Sequence, residues 1–369
     1  MDTPETLAYK IAISLIPGIG SVTARNLIAY VGSVEGVFQE KEKNLMKIPG
    51  IGEVNAKRVV RQNVLERAKL EVEFILKNRI KTFFYLDEEY PSRLKGCSDA
   101  PIILYFKGNA NLNERRIISV VGTRNATNYG KEICEELIRN FSEKSYPILV
   151  VSGLAYGIDV YAHKACLKYN IPTVGVFAHG LDTIYPQLHA PIAGKMLEKG
   201  GLISDFTSET KIDRANFLRR NRIIAGLADA TIVVESAEKG GALVTADIAN
   251  SYNRDVFAFP GRSTDVYSRG CNKIIKLNEA VLIENQADIE KAMNWDIKVS
   301  TTRVYQTSLF VELTREEQKL VDLLKGGDRF VDEITIETQL PMSKVSELLL
   351  GLEFKGIIVS LPGKMYRLK

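Results

Sequence analysis

The sequence predicts an α/β fold. A central Rossmann-like, mostly parallel sheet is flanked by a helical helix-hairpin-helix or SAM-like domain before it and a winged-helix domain after it. Three observations predict this. Short β-rich runs alternate with helical stretches between residues 115 and 285, a rhythm that argues for a parallel sheet covered on both faces. The pattern Ile-Pro-Gly-Ile-Gly occurs twice near the start, at Ile16–Gly20 and Ile48–Gly52. Residues 311–369 read as three helices closed by a hairpin.

The first domain is assigned to residues 1–72. Each Pro-Gly pair permits a tight turn. The second glycine leaves backbone N–H groups open at the start of a helix, Ser21 to Tyr30 in the first copy and through Ala56, Val59 and Val60 in the second. Such a start can hold a phosphate. Lys57, Arg58 and Arg61 favour that use and Glu53 opposes it. Degenerate copies of such a repeat often only pack.

Residues 73–290 form the second domain. Lys81–Tyr85 and Ile102–Phe106 are predicted strands beside the main sheet. The sheet itself takes Ile117–Val121, Ile148–Val151, Thr173–Phe177, Ala230–Glu235, Val256–Phe259 and Val281–Ile283. These runs are short and β-rich, and largely apolar strands are expected where both faces are buried. Helices are expected at 130–141, 157–169, 192–199, 222–227 and 242–250. A linker at 291–310 leads to the winged-helix domain, 311–369, where Ser343 is the expected N-cap of the third helix. That helix carries Lys344 but also Glu347 and Glu353, a poor charge balance for reading a major groove.

The composition narrows the function. With 49 basic and 45 acidic side chains the net charge is +4, which excludes a generally polybasic binder but leaves room for a local cationic patch. No apolar run is long enough to cross a bilayer, and a secretory leader is not expected. Cys97, Cys134, Cys166 and Cys271 are too far apart for a zinc site or a disulfide framework. A reducing cytoplasm is the expected compartment. Three histidines leave little material for histidine chemistry, and neither a metal nor a cofactor is expected.

The chemistry is expected where strand-end loops meet at one rim of the sheet. Gly122-Thr123-Arg124 follows the first core strand and brings close backbone approach, a hydroxyl and a forked cation suited to phosphate. Ser152-Gly153 and Tyr156 come from the next strand end, and Phe217, Arg219, Arg220, Asn221 and Arg222 from a third segment. Thr245 is expected to face the same crevice. Neither a dinucleotide fingerprint nor an ATP phosphate loop is present. A cationic crevice with rings suits single-stranded nucleic acid, arginine meeting phosphate while bases stack. The competing reading is a phosphoribohydrolase-like enzyme on nucleoside phosphates, with Glu235 and Asp182 as acid and base.

These segments carry a family pattern. Val121-Gly122-Thr123-Arg124, Ser152-Gly153-Leu154-Ala155, Gly157-Ile158-Asp159, Gly180-Leu181-Asp182, Asn221–Leu227, Pro260-Gly261 and Gly270-Cys271-Asn272 resemble, in order, those of the DNA-processing protein A family, also called Smf. The terminal domains resemble the additions seen in that family. The resemblance implies a non-enzymatic protein that binds and protects incoming single-stranded DNA in natural transformation. It further implies help in loading a RecA-type recombinase and a homodimer formed through the Rossmann-like domain. Gly122, Arg124, Ser152, Gly153, Asn221 and Arg222 map to the family's DNA pocket, and Asn272 and Lys273 are added as DNA-binding candidates. Tyr156 stands where the family commonly has lysine, which exchanges a phosphate-binding charge for a ring.

Overall fold

The computed structural model describes residues 3–144, 146–295 and 313–369; most of the predicted linker lies outside them. The chain forms two compact units, Met1–Leu282 and Ile283–Lys369.

The first unit opens with six helices: α1 (Pro4–Leu15), α2 (Ser21–Val31), α3 (Val34–Gln39), α4 (Glu42–Leu45), α5 (Glu53–Val60) and α6 (Leu65–Asn78). The repeat is real in space. Gly18 and Gly50 take φ of +77° and +79°, values that disfavour any side chain. Gly20 and Gly52 then cap α2 and α5 with no side-chain hydrogen bond. Ile16, Ile19, Ile48 and Ile51 enter one core with Val72, Ile75, Phe84, Ile103 and Tyr105. Helix α6 therefore runs across the expected boundary at residue 72, and the helical core continues onto the sheet. Glu71, 1% exposed, fastens this joint. Its carboxylate accepts from Ser208 N at 2.9 Å and from Arg67 at 2.8 Å.

The sheet elements follow in order: β1 (Lys81–Phe84), α7 (Ser92–Lys95), β2 (Ile103–Gly108), β3 (Ile117–Val121), α8 (Asn128–Ser142), β4 (Leu149–Ser152), α9 (Ile158–Lys168) and β5 (Thr173–Val176). A 3₁₀ turn at Gln187–His189 leads to α10 (Ala190–Lys199) and β6 (Gly201–Ser204). Then come α11 (Arg214–Leu227), β7 (Ala230–Val233), α12 (Gly241–Ser251), β8 (Asp255–Ala258), α13 (Arg269–Lys276) and β9 (Val281–Leu282). The nine strands are ordered β1-β2-β6-β5-β4-β3-β7-β8-β9. Pairs β1–β2 and β2–β6 are antiparallel; the rest are parallel. The chain winds outward from β3 through β4 and β5 to β6, then returns to the other side of β3 as β7. The strand order reverses there, and in open α/β sheets ligands bind in the crevice at such a point. Ser119 Oγ donates to Thr231 Oγ1 at 2.8 Å, fastening β3 to β7 inside the buried sheet.

Several elements differ from the sequence reading, three of them in or beside the sheet. Strand β6 was not among the expected strands. Here the glycines are needed for closeness: a side chain at Gly201 would run into the Phe106 ring and one at Gly200 into the Thr173 backbone. Helix α13 was also not expected. Helix α11 starts at Arg214, not at residue 222, with Asp213 as its N-cap through a 2.7 Å bond from Ala215 N.

The second unit contains α14 (Gln286–Ala292), α15 (Arg315–Leu324), β10 (Arg329–Phe330), α16 (Val331–Thr338), α17 (Met342–Phe354), β11 (Ile358–Leu361) and β12 (Met365–Leu368). Helices α15 to α17 and the antiparallel sheet β10-β12-β11 make the winged helix. Its core holds Leu320, Leu324, Ile334, Val345, Leu349, Leu352 and Ile358. Pro341, not Ser343, is the N-cap of α17. Among the described residues no helix is long and apolar enough to cross a membrane.

Candidate nucleic-acid interface

A cavity of about 600 Å³ opens at the carboxyl ends of β3 and β7. Gly122 to Asn125 form one wall, Ala155 and Asp159 a second, and Arg214, Phe217, Arg220 and Asn221 of α11 a third. Ser236, Lys239 to Ala242, Thr245 and Tyr267 complete it. Backbone bonds set the first wall: Thr123 N donates to Glu235 O at 2.7 Å, and Ile158 N to Thr123 O at 3.1 Å. Gly157 has φ +77°, and a Cβ there would strike the Thr123 carbonyl and the Arg124 backbone. Buried Leu154 is itself left-handed, with φ +53°. The His189 ring meets its carbonyl at 2.8 Å through Nδ1.

The cavity presents cations at its mouth and one at its floor. Arg124, Arg214 and Lys239 are exposed lining residues. The Arg124 guanidinium lies 5.5 Å from the Phe217 ring centroid, a cation–π distance. Helix α12 adds its N-terminus. Gly240 caps it with no side-chain hydrogen bond, and Gly240, Gly241 and Ala242 line the cavity, so backbone N–H groups and the positive dipole end face any anion there.

Arg220 is the floor. Its Nη1 donates to the Gly153 carbonyl at 2.8 Å and also to the Val176 carbonyl. Burial pulls its pKa down to about 10, with nearby Asp159 opposing that pull and Arg124 adding to it. The Asp159 carboxyl is held above its ordinary value by burial, against the attraction of Arg220. Gly153 lies beneath this pair, and a Cβ on it would occupy the space of both side chains.

The predicted residues are thus brought together only in part. Gly122, Thr123, Arg124, Phe217, Arg220, Asn221 and Thr245 line the cavity. Ser152 does not: its buried hydroxyl donates to Val120 O at 2.6 Å. Gly153 supports Arg220 from behind. Tyr156 stands beside the cavity, 46% exposed, with its ring edge-on to His189 at 5.2 Å. Arg222 is a correction. It is 8% exposed and bound to Asp205 at 2.6 Å and to the Asp99 carbonyl. Arg219 lies over Phe206 at 5.2 Å, with Asp205 at 3.8 Å. The reason is helical. Consecutive residues of α11 point about 100° apart, so Arg219 to Arg222 cannot share one rim as they would from a loop. Asn272 is a second correction: its side chain bonds both N and O of Gly261, at 3.2 and 2.8 Å, locking a turn. Lys273 does not line the cavity but lines an adjoining groove with Glu238 and Asp247; cavity and groove meet at Lys239 and Gly240. In the N-terminal repeat Lys57 pairs with Glu53, Arg58 covers Gly18 and Arg61 closes α5 as its C-cap.

Sequence reasoning missed Arg214, Lys239 and Tyr267. The signal for Arg214 was Asp213, a helix-starting residue that would have put the cation at the first turn of α11. Tyr267 was fixed only by tertiary structure, through a 3.1 Å bond from Asn125 Nδ2 to its hydroxyl.

The carboxylates considered for hydrolysis are engaged in loop architecture. Glu235, 2% exposed, accepts from Thr127 N at 2.9 Å and from Thr127 Oγ1 at 2.5 Å. Asp182 accepts from Glu209 N at 3.1 Å. His163 is fully buried, and burial drives its pKa down to about 3. Among the described residues no three metal-binding side chains cluster.

Comparison with known proteins agrees with this architecture. Residues 81–294 match the family described as DNA recombination-mediator protein A. Residues 11–62 match a SAM-like helix-hairpin-helix tandem, and residues 311–364 the DprA winged helix domain. Protein Smf of Escherichia coli (strain K12) is 34% identical over 76% of each chain. Protein Smf of Synechocystis sp. is 28% identical over 98% of each. The X-ray structure of DNA processing protein A from Streptococcus pneumoniae superposes with a TM-score of 0.65 at 29% identity, covering 79% of this chain and 98% of that one. The DNA processing protein A of Helicobacter pylori, whose single-stranded DNA binding mode has been described, gives a TM-score of 0.53 at 25% identity over 59% and 97%. A family match spanning more than half the sequence, on a sheet whose strand order opens a cationic crevice where that family's motifs lie, shows that this chain belongs to the DNA recombination-mediator protein A family.

Proposed function

We propose that this chain binds single-stranded DNA at the crevice between β3 and β7. One observation carries the reading: Arg124, Arg214 and Lys239 surround a cavity that also receives the free N-terminus of α12 and the Phe217 ring. Phosphates answer the cations and amides, and a ring gives an unpaired base a surface to stack on. The H. pylori relative, described as binding single-stranded DNA, supports the choice of ligand.

In the cell the chain protects DNA strands entering by natural transformation and helps load a RecA-type recombinase, acting as a homodimer through the Rossmann-like domain. Family membership supports these roles. The cytoplasm is the compartment, in keeping with four free, buried cysteines. Binding of oligo-dT and of a duplex of equal length, titrated with salt, tests the ligand. Single strands should bind tighter, with a dissociation constant that rises steeply with salt. Equal binding of both forms, or none of either, would remove the reading.

A further inference from the structure

Two exposed tyrosines stand beside the cavity without lining it. Tyr185, 44% exposed, meets Phe217 edge to face, ring centroids 5.9 Å apart. Phe217 in turn carries Arg124 at 5.5 Å and Arg220 at 5.9 Å. Tyr156 meets His189 in the same manner at 5.2 Å, and His189 is pinned to the Leu154 carbonyl. The short turn Gln187–His189 joins the two pairs in sequence. Each tyrosine therefore has one edge held by a better-buried ring while much of its surface is open to solvent. Core packing does not explain that exposure. Neither ring brings a formal charge.

We infer that Tyr185 and Tyr156 form a base-stacking ledge that takes the nucleobases of a strand whose phosphates lie at the Arg124 cavity. The inference rests on the single-stranded DNA reading above and adds a second kind of contact to it. Held edges leave the rings little rotational freedom to lose on binding, which favours stacking. The ledge selects unpaired nucleic acid, because bases within a duplex offer no free face. It also divides the affinity in two: a phosphate part at the cations that salt weakens, and a stacking part at the ledge that salt hardly touches.

The test uses the full chain and two probes of equal length, oligo-dT and the same sugar-phosphate strand without bases. Tyr185→Leu and Tyr156→Leu should each weaken dT binding by roughly fivefold or more, with an unchanged salt slope. On the abasic strand both variants should bind as the wild type does, and Tyr→Phe at either position should restore dT binding. Equal losses on both strands, or no loss on dT, would overturn the ledge while the binding reading stands. Failure of the wild-type chain to bind dT would overturn both. Circular dichroism of the leucine variants separates a folding defect from a binding one; an unfolded variant leaves the wild-type contrast between the two strands to decide, and no preference for dT there overturns the ledge.

Discussion

Arg222 donates to the Asp205 carboxylate at 2.6 Å, both side chains at least nine-tenths buried, although Arg222 lies only two residues from the arginine on the floor of the cavity. Removing one partner of a buried ion pair strands the other. Arg222→Ala should therefore cost about 3 kcal/mol or more of stability. Protein that stays folded should retain its salt slope for single-stranded DNA. Thermal melting and a salt titration on the same preparation check both halves.

Arg124 should behave in the opposite way. It is exposed and packs on one face of Phe217, so Arg124→Ala should change stability by no more than about 0.5 kcal/mol. Oligo-dT affinity should fall by roughly tenfold or more, as a charge-assisted bond to phosphate is lost. The log–log salt slope should shrink by about 0.7, the value for one phosphate on a single strand. An unchanged slope would place Arg124 outside the contact.

Gly157→Ala tests the first wall. The residue needs φ +77°, and its missing side chain leaves room for the Thr123 carbonyl and the Arg124 backbone. The change should cost about 2 kcal/mol or more and misplace Arg124, so both melting temperature and DNA affinity fall. Gly241→Ala is the control. Nothing lies near a side chain added there, so any loss should be confined to DNA approaching α12.

Acid sensitivity should trace in part to His163. Its folded pKa of about 3 lies below the ordinary 6.5 because burial excludes the charged ring. The unfolded chain therefore takes up a proton first. Stability is complete above pH 6.5 and falls as the pH drops toward 3, by on the order of 5 kcal/mol at the limit. His179 is shifted downward by burial as well and acts in the same direction. Asp159, shifted upward, binds its proton earlier in the fold than out of it and opposes them. Melting curves between pH 7 and 4 should be steeper for the wild type than for His163→Asn.

The sheet, the paired hairpins and the winged helix were legible because each rests on local pattern: apolar runs, Pro-Gly turns, a terminal hairpin. The rim at Gly122–Arg124 was legible for the same reason, being a loop next to its own strand. Arg219 to Arg222 misled because a cluster of charges in sequence is a cluster in space only on a loop; on α11 it is spread around an axis. Strand β6 was not legible, because glycine weakens a strand pattern in the open yet permits close approach inside a sheet. Lys239 and Tyr267 reach the cavity from beyond β7, an adjacency that strand order alone creates.

Helix α6 and the Glu71–Ser208 joint have a practical consequence. A chain shortened to begin at residue 73 would sever a helix midway and strip the cover from Ile103 and Tyr105. The sheared surface would invite aggregation, and Ser208 would lose its carboxylate anchor. The helical leader is better regarded as a wall of the same house than as a detachable wing, and any excised core should keep it.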